Sequence, residues 1–259
     1  MKKYELTTEC KEFLGRKLYR IKALTFFSDV KEGDLGGWIE KEENLSQEGN
    51  TWVYGNARVC DNATVYDNAT VSGNAWVYGN ATVSDNATVS GNATVSGNAM
   101  VSDNATVSDN ATVGGTARVS GNARVYGNAW VYGDAQVYGD ARVYGNATVG
   151  GNARVSGNAT VGGNAWVYGN AEIKKKTHLL EIGFIGSRDD VTTFFRTKDK
   201  GIFVKCGCFE GDIDDFEKKV QKVHGDDKHG RVYALAIAMA REQIDLDDED
   251  VEEEDVEQI

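Results

Sequence analysis

Proline is absent from all 259 residues, and histidine and methionine occur only three times each. Every corner of the chain must therefore come from glycine, asparagine and aspartate rather than from a ring-locked φ. No apolar run approaches the roughly eighteen residues of a membrane span, and Met1-Lys2-Lys3-Tyr4 does not lead into a hydrophobic signal core. The expectation is a cytoplasmic protein with no membrane association. Four cysteines, Cys10, Cys60, Cys206 and Cys208, are too few and too unevenly placed for a disulfide framework. The net charge of −12 is unevenly distributed, because Asp245–Glu257 holds ten acidic residues and no basic one. The rest of the chain is only mildly acidic, which argues against a single-sign field over its surface.

Against these absences stands one strict regularity. From Val53 to Val167 a valine recurs at every sixth position, twenty in all, each opening the unit V-x-[G/D]-N-A-x. Six residues are too few for a helix pair and suit one short strand plus one corner. Side chains alternate along a strand, so valine points inward, and its neighbours, Thr, Trp or Arg before and Ser, Tyr or Gly after, point outward. Alanine follows in every unit, where a corner folding over the core leaves room for little more than a methyl group. Asparagine fills the second corner place in seventeen units, Thr116, Asp134 and Asp140 being the exceptions. As the non-glycine residue most tolerant of positive φ, it is expected to hold the left-handed position.

The unit resembles the motif of the hexapeptide-repeat superfamily, an aliphatic residue followed four places later by a small one. That resemblance implies a mainly β fold, a left-handed parallel β-helix in which three hexads make one coil of a triangular prism, about seven coils here. The segments Phe27-Ser28-Asp29-Val30-Lys31-Glu32-Gly33, Gly36-Gly37-Trp38-Ile39, Leu45-Ser46-Gln47-Glu48-Gly49 and Trp52-Val53-Tyr54 lie outside the repeat. They are similar to the opening of YdcK-like bacterial and prophage proteins of this type. Composition then divides the chain into an N-terminal cap (1–52), the prism (53–173), a small α+β domain (174–244) and an acidic disordered tail (245–259). The small domain reads β-β-β-α-α: strands Leu179–Phe184, Val191–Arg196 and Ile202–Cys206, a helix capped by Asp212 and stopped by Gly225, and a second helix over Arg231–Ile244.

Catalysis is hard to place. The superfamily's enzymes are mostly acyltransferases that use a histidine base and an acyl thioester, and the repeats contain no histidine. His178, His224 and His229 all lie beyond the last coil, so no catalytic residue is assigned and no cofactor is expected. Cys206, Cys208, His224 and His229 have the residue types of a zinc site but not its spacing, and the preferred reading has no metal. Residues eighteen apart should stack on one side of the prism. One side then gathers Trp76 with Tyr78, Trp130 with Tyr132 and Trp166 with Tyr168; a second gathers Arg124 with Tyr126 and Arg142 with Tyr144; a third gathers Arg118 and Arg154. Aromatics and arginine dominate binding hot spots, so these rows are the candidate binding surface. They weigh against a plain ladder of good strand formers, and the three stacked Thr/Ser pairs at 70/72, 88/90 and 106/108 are too few for an ice-binding array.

The expectation is a non-catalytic β-helical scaffold, homotrimeric through its prism faces, that binds a protein partner and not nucleic acid. The prophage resemblance implies a phage-borne inhibitor of a host protein complex. Two rivals remain. One is an acyl-CoA- or acyl-carrier-protein-dependent acyltransferase, and the other an acidic nucleic-acid decoy built on the tail.

Overall fold

The computed structural model describes residues 2–246. The acidic tail lies outside them after Leu246. The chain divides into two compact units, one running to Lys175 and one beginning at Lys176.

In the first unit, each repeat from Trp52–Val53 to Glu172–Ile173 is a two-residue strand followed by a four-residue corner. Strands three repeats apart pair in parallel and in register, Thr70 on Thr88 on Thr106 and Val71 on Val89 on Val107. Two sheets of seven strands result, with a third of ten whose first two strands are an antiparallel hairpin. Three hexads therefore make one coil of a parallel β-solenoid. Inside, the repeat valines are at most 1% exposed and the repeat alanines at most 2%. Each such valine contributes about 1.5 kcal/mol or more by leaving water.

The corners correct one expectation. Positive φ falls on the first corner residue, glycine or aspartate, as at Gly73 (68°), Gly127 (73°) and Asp103 (57°), and on none of the asparagines. In the turn Ser72-Gly73-Asn74-Ala75 the Ala75 N–H donates to the Ser72 carbonyl at 3.2 Å. A four-residue turn closed by this bond, with positive φ at its first central residue only, is of the II′ type, and glycine costs least at that place. Asparagine has another task. The Nδ2 of Asn74 donates to Oδ1 of Asn92, and the chain continues through Asn110, Asn128 and Asn146 at 3.0–3.1 Å. Such amide columns polarise one another along the stack. Where the first corner place is aspartate, the carboxylate accepts the backbone N–H of the coil above, Gly121 on Asp103 (2.8 Å) and Gly127 on Asp109 (3.0 Å).

The N-terminal residues are a hairpin of β1 (Tyr4–Phe13) and β2 (Arg16–Ala23), then β3 (Leu35–Ile39). Strand β3 is itself a rung: Trp38 pairs in parallel with Arg58 and Ile39 with Val59. Trp52, on the outward side of the first repeat strand beside Thr70, is 1% exposed because N-terminal residues cover it, with Tyr4 and Phe27 edge-on to it at 6.0 and 5.4 Å. Lys3 Nζ satisfies the Glu48 and Thr51 carbonyls at 3.0 Å each, and burial lowers its pKa to about 8. Capping of this kind closes an otherwise unpaired edge.

The second unit has four antiparallel strands, Leu179–Ile185, Asp190–Arg196, Ile202–Cys206 and Phe209–Asp212, followed by α1 (Ile213–His224) and α2 (Lys228–Gln243). The fourth strand was not expected, because Glu210 and Gly211 are poor strand formers. A tight turn at Gly207 (φ 56°) brings Phe209 opposite Cys206. Asp212 caps α1 by accepting from Asp215 N at 2.7 Å, and Gly225 ends it. Helix α2 begins earlier than Arg231, because Asp227 caps it through Gly230 N at 2.8 Å. Phe194, Val204, Phe216, Tyr233, Ile237 and Ala240 form its core.

Candidate functional site

The solenoid presents outward only the residues on either side of each valine, so register alone decides which large side chains share a face. Trp76, Trp130 and Trp166 lie on one sheet, separated by Thr94, Thr112 and Thr148. Their surroundings differ sharply. Trp76 stacks on Tyr78 at 4.0 Å, meets Phe13 edge-on at 5.0 Å and donates from Nε1 to the Cys60 thiol at 3.3 Å. Phe13 comes from the tip of the β1–β2 hairpin, which turns over this face. Arg16 at that tip reaches Asp61 at 2.5 Å, Arg58 lies over the Phe13 ring at 4.3 Å, and Lys11 lies over Trp38 at 4.0 Å. The expected binding pair Trp76 and Tyr78 is thus part of a covered cluster with Leu18, Trp38 and Cys60. The hairpin could not have been seen in the repeat, because it is folded from residues far outside it.

Trp130 is the opposite case. It stands between Thr112 and Thr148 and is 58% exposed, beside Tyr132 at 43%. Tyr132 leans along the stack over Gly150, where an added Cβ would lie 2.5 Å from the ring. Trp166 is 47% exposed and Tyr168 half-buried. On the second face Arg124 pairs in register with Arg142, and the rings of Tyr126 and Tyr144 stack at 5.3 Å and 9°. Tyr144 in turn lies over Gly162. Glycine at 150 and 162 is the sequence signal of these ring seats, legible once the eighteen-residue offset is applied. On the third face Gln136 separates Arg118 from Arg154, and Tyr138 is 38% exposed.

The candidate zinc residues do not gather. Cys206 and Cys208 flank the Gly207 turn, Cys206 being hydrogen-bonded to Thr192 at 3.2 Å and to the Tyr233 hydroxyl at 3.5 Å. Burial holds the Tyr233 phenol well above its usual range. His224 sits 3.4 Å from Asp227, with the His229 ring 5.7 Å away. Cys206, Cys208 and His224 border a cavity of about 240 Å³ in the second unit together with Arg188, Lys219 and Tyr233. Among the described residues, the one group of three possible ligand side chains within 4.8 Å of one another is Glu40, Cys60 and Asp61. Their atoms are already committed. Glu40 accepts from Asp61 N at 2.6 Å, Asp61 accepts from Arg16 and from Gly79 N, and burial pushes the Cys60 thiol pKa up. His178 is fully buried, so it is no solvent-facing base at the last coil. No helix is long and apolar enough to cross a membrane among the described residues.

The YdcK β-solenoid repeat family model matches nine segments between residues 57 and 169, six of them overlapping over 57–115 and three separate at 117–133, 135–151 and 153–169. A curated relative, the "Uncharacterized acetyltransferase YdcK" of Escherichia coli (strain K12), is 44% identical over 62 residues, 21% of this chain. The match spans only 19% of that relative's length. The repeat register, the valine and alanine core and these matches together show that the solenoid between residues 57 and 169 is similar to YdcK β-solenoid repeats.

Proposed function

We propose that the protein is a non-catalytic scaffold whose solenoid holds a rigid aromatic face, centred on Trp130 and Tyr132, against a protein partner. The carrying observation is the isolation of Trp130. A tryptophan kept only for sheet stability would stack on a large neighbour, as Trp76 does, whereas Trp130 has threonine on both sides and leaves more than half its surface in water. Exposed indoles of this kind anchor interfaces. The partner is a macromolecule with a complementary apolar pocket, and a host protein complex fits the prophage-like opening of the chain. The scaffold self-assembles as a homotrimer through its flat faces. Affinity capture from a bacterial lysate should recover a specific protein with the intact chain and lose it with Trp130→Ala. Equal recovery by both would sink the reading.

Acyl transfer is the second reading, supported by the name of the Escherichia coli relative. It needs a base and an acyl-thioester cleft that the solenoid faces do not supply. Thiol release from acetyl-CoA or acetylated acyl carrier protein, in the presence of small amine and hydroxyl acceptors, would establish it and displace the scaffold reading.

A further inference from the structure

The second solenoid face carries two arginines stacked directly on one another. Arg124 and Arg142 are in-register neighbours, both solvent-facing, and neighbouring strands are about 4.8 Å apart. Two cations at that spacing repel unless an anion is shared. Among the described residues no acidic side chain pairs with either guanidinium. The acids of the adjoining corners are all turned elsewhere: Asp103 onto Gly121 N at 2.8 Å, Asp109 onto Gly127 N at 3.0 Å, and Asp140 onto the Asn122 amide at 2.9 Å.

Beside the arginines lies a hollow of about 260 Å³ lined by Thr106, Ser108, Arg124, Tyr126 and Arg142. It exists because the aromatics lean away from it. Tyr144 is seated over Gly162 and Tyr126 stacks on Tyr144, which leaves the hydroxyls of Thr106 and Ser108 uncovered at the coil before. The floor therefore offers two guanidinium forks, two aliphatic hydroxyls and one phenol.

The geometry points to a binding site for the phosphate group of a small phosphate monoester, gripped between Arg124 and Arg142 with Thr106 and Ser108 donating from below. A carboxylate carries one charge and two coplanar oxygens, enough for one fork. A phosphate monoester is a dianion with three terminal oxygens, enough for both forks and a hydroxyl. The net charge of −12 makes general attraction of anions unfavourable, so binding must come from this local arrangement. The site goes beyond the scaffold reading and does not depend on it, because it uses a different face.

The test is titration of the full chain with inorganic phosphate and with AMP, followed by calorimetry and phosphorus NMR at fixed ionic strength, with acetate and adenosine as controls. Both phosphate probes should bind and compete with one another, while acetate and adenosine do not. R124Q/R142Q should weaken binding at least tenfold with its melting temperature preserved, and R118Q/R154Q on the third face should bind as the parent does. Absence of binding by either phosphate probe, an equal response to acetate, or unchanged binding by R124Q/R142Q would overturn the site.

Discussion

The coils from Thr64–Val65 to Thr112–Val113 and those from Arg118–Val119 to Trp166–Val167 share one interior and differ outside. Valine and alanine are equally buried in both stretches. The earlier coils face water mostly with threonine and serine, apart from Tyr66, Met100, Gly114 and the hairpin-covered pair Trp76 and Tyr78, whereas the later ones carry four arginines, two tryptophans and five tyrosines. Because the strands are two residues long, the inward residue decides whether a coil closes, and the flanking residues are left to vary. The fold and the character of the outer surface are therefore written on alternate positions of the same strand.

The largest effects should come from breaking what the two stretches share. Val125→Ala opens a gap between Val107 and Val143 in a close-packed core of valine and alanine, and should cost about 2–3 kcal/mol. Thr106→Ala on the outer surface of the neighbouring strand should stay within about 0.5 kcal/mol. Urea unfolding of the two variants compares them directly, and equal destabilisation would contradict the division between inner and outer positions.

The corner comes next. An alanine at position 127 would hold positive φ and set its Cβ 2.9 Å from the Gly145 nitrogen. Gly127→Ala should therefore cost about 1–2 kcal/mol. Gly127→Asp should cost less, because its carboxylate can accept the Gly145 N–H as Asp109 accepts that of Gly127. A thermal melt ranking aspartate below alanine would remove the corner argument.

This corner also marks where the sequence was legible and where it was not. Period and register followed from the valines alone, since a fixed six-residue spacing allows each outward residue one position on one face. The division of labour within Gly-Asn did not follow. Both residues tolerate positive φ, and only the rung-to-rung contacts decide that glycine takes the strained place while asparagine forms the amide column. Trp76 shows a second limit. Periodicity placed it on the face of Trp130, but the hairpin that covers it comes from residues 4–23, whose docking depends on the scattered contacts of Phe13 and Arg16 rather than on any repeat. Likewise the Arg124 and Arg142 row was legible, while the hollow beside it depends on the direction in which Tyr126 leans.

The capped end differs from the middle coils in a pH-dependent way. Burial lowers Lys3 to about 8 from an ordinary value of 10.5, and Lys11, desolvated beside Arg58 and Arg20, is lowered similarly. Between pH 8 and 9, below the range in which the raised Cys60 thiol and the buried tyrosines act the other way, these two lysines bind more protons in the unfolded chain than in the folded one, so their contribution makes stability rise with pH. Lys3→Met should reduce the slope. A slope between pH 8 and pH 9 that is unchanged in the variant would refute this account of the cap.

The smallest expected effect on stability sharpens the comparison most. Trp130→Thr with Tyr132→Ser converts a later coil into the pattern of Thr94–Val95–Ser96 on the same face. The core is untouched, and Thr112 and Thr148 then have a threonine between them, a good pairing for a strand surface. Unfolding free energy should shift by no more than about 0.5 kcal/mol. If the large outer side chains serve the fold, this double change must cost as much as a core change, since the indole and phenol together exceed a valine in surface. If they serve recognition, the variant folds like the parent, is at least as soluble, and fails to capture the partner that the parent captures. The two readings of the later coils thus give opposite results on one protein with two measurements.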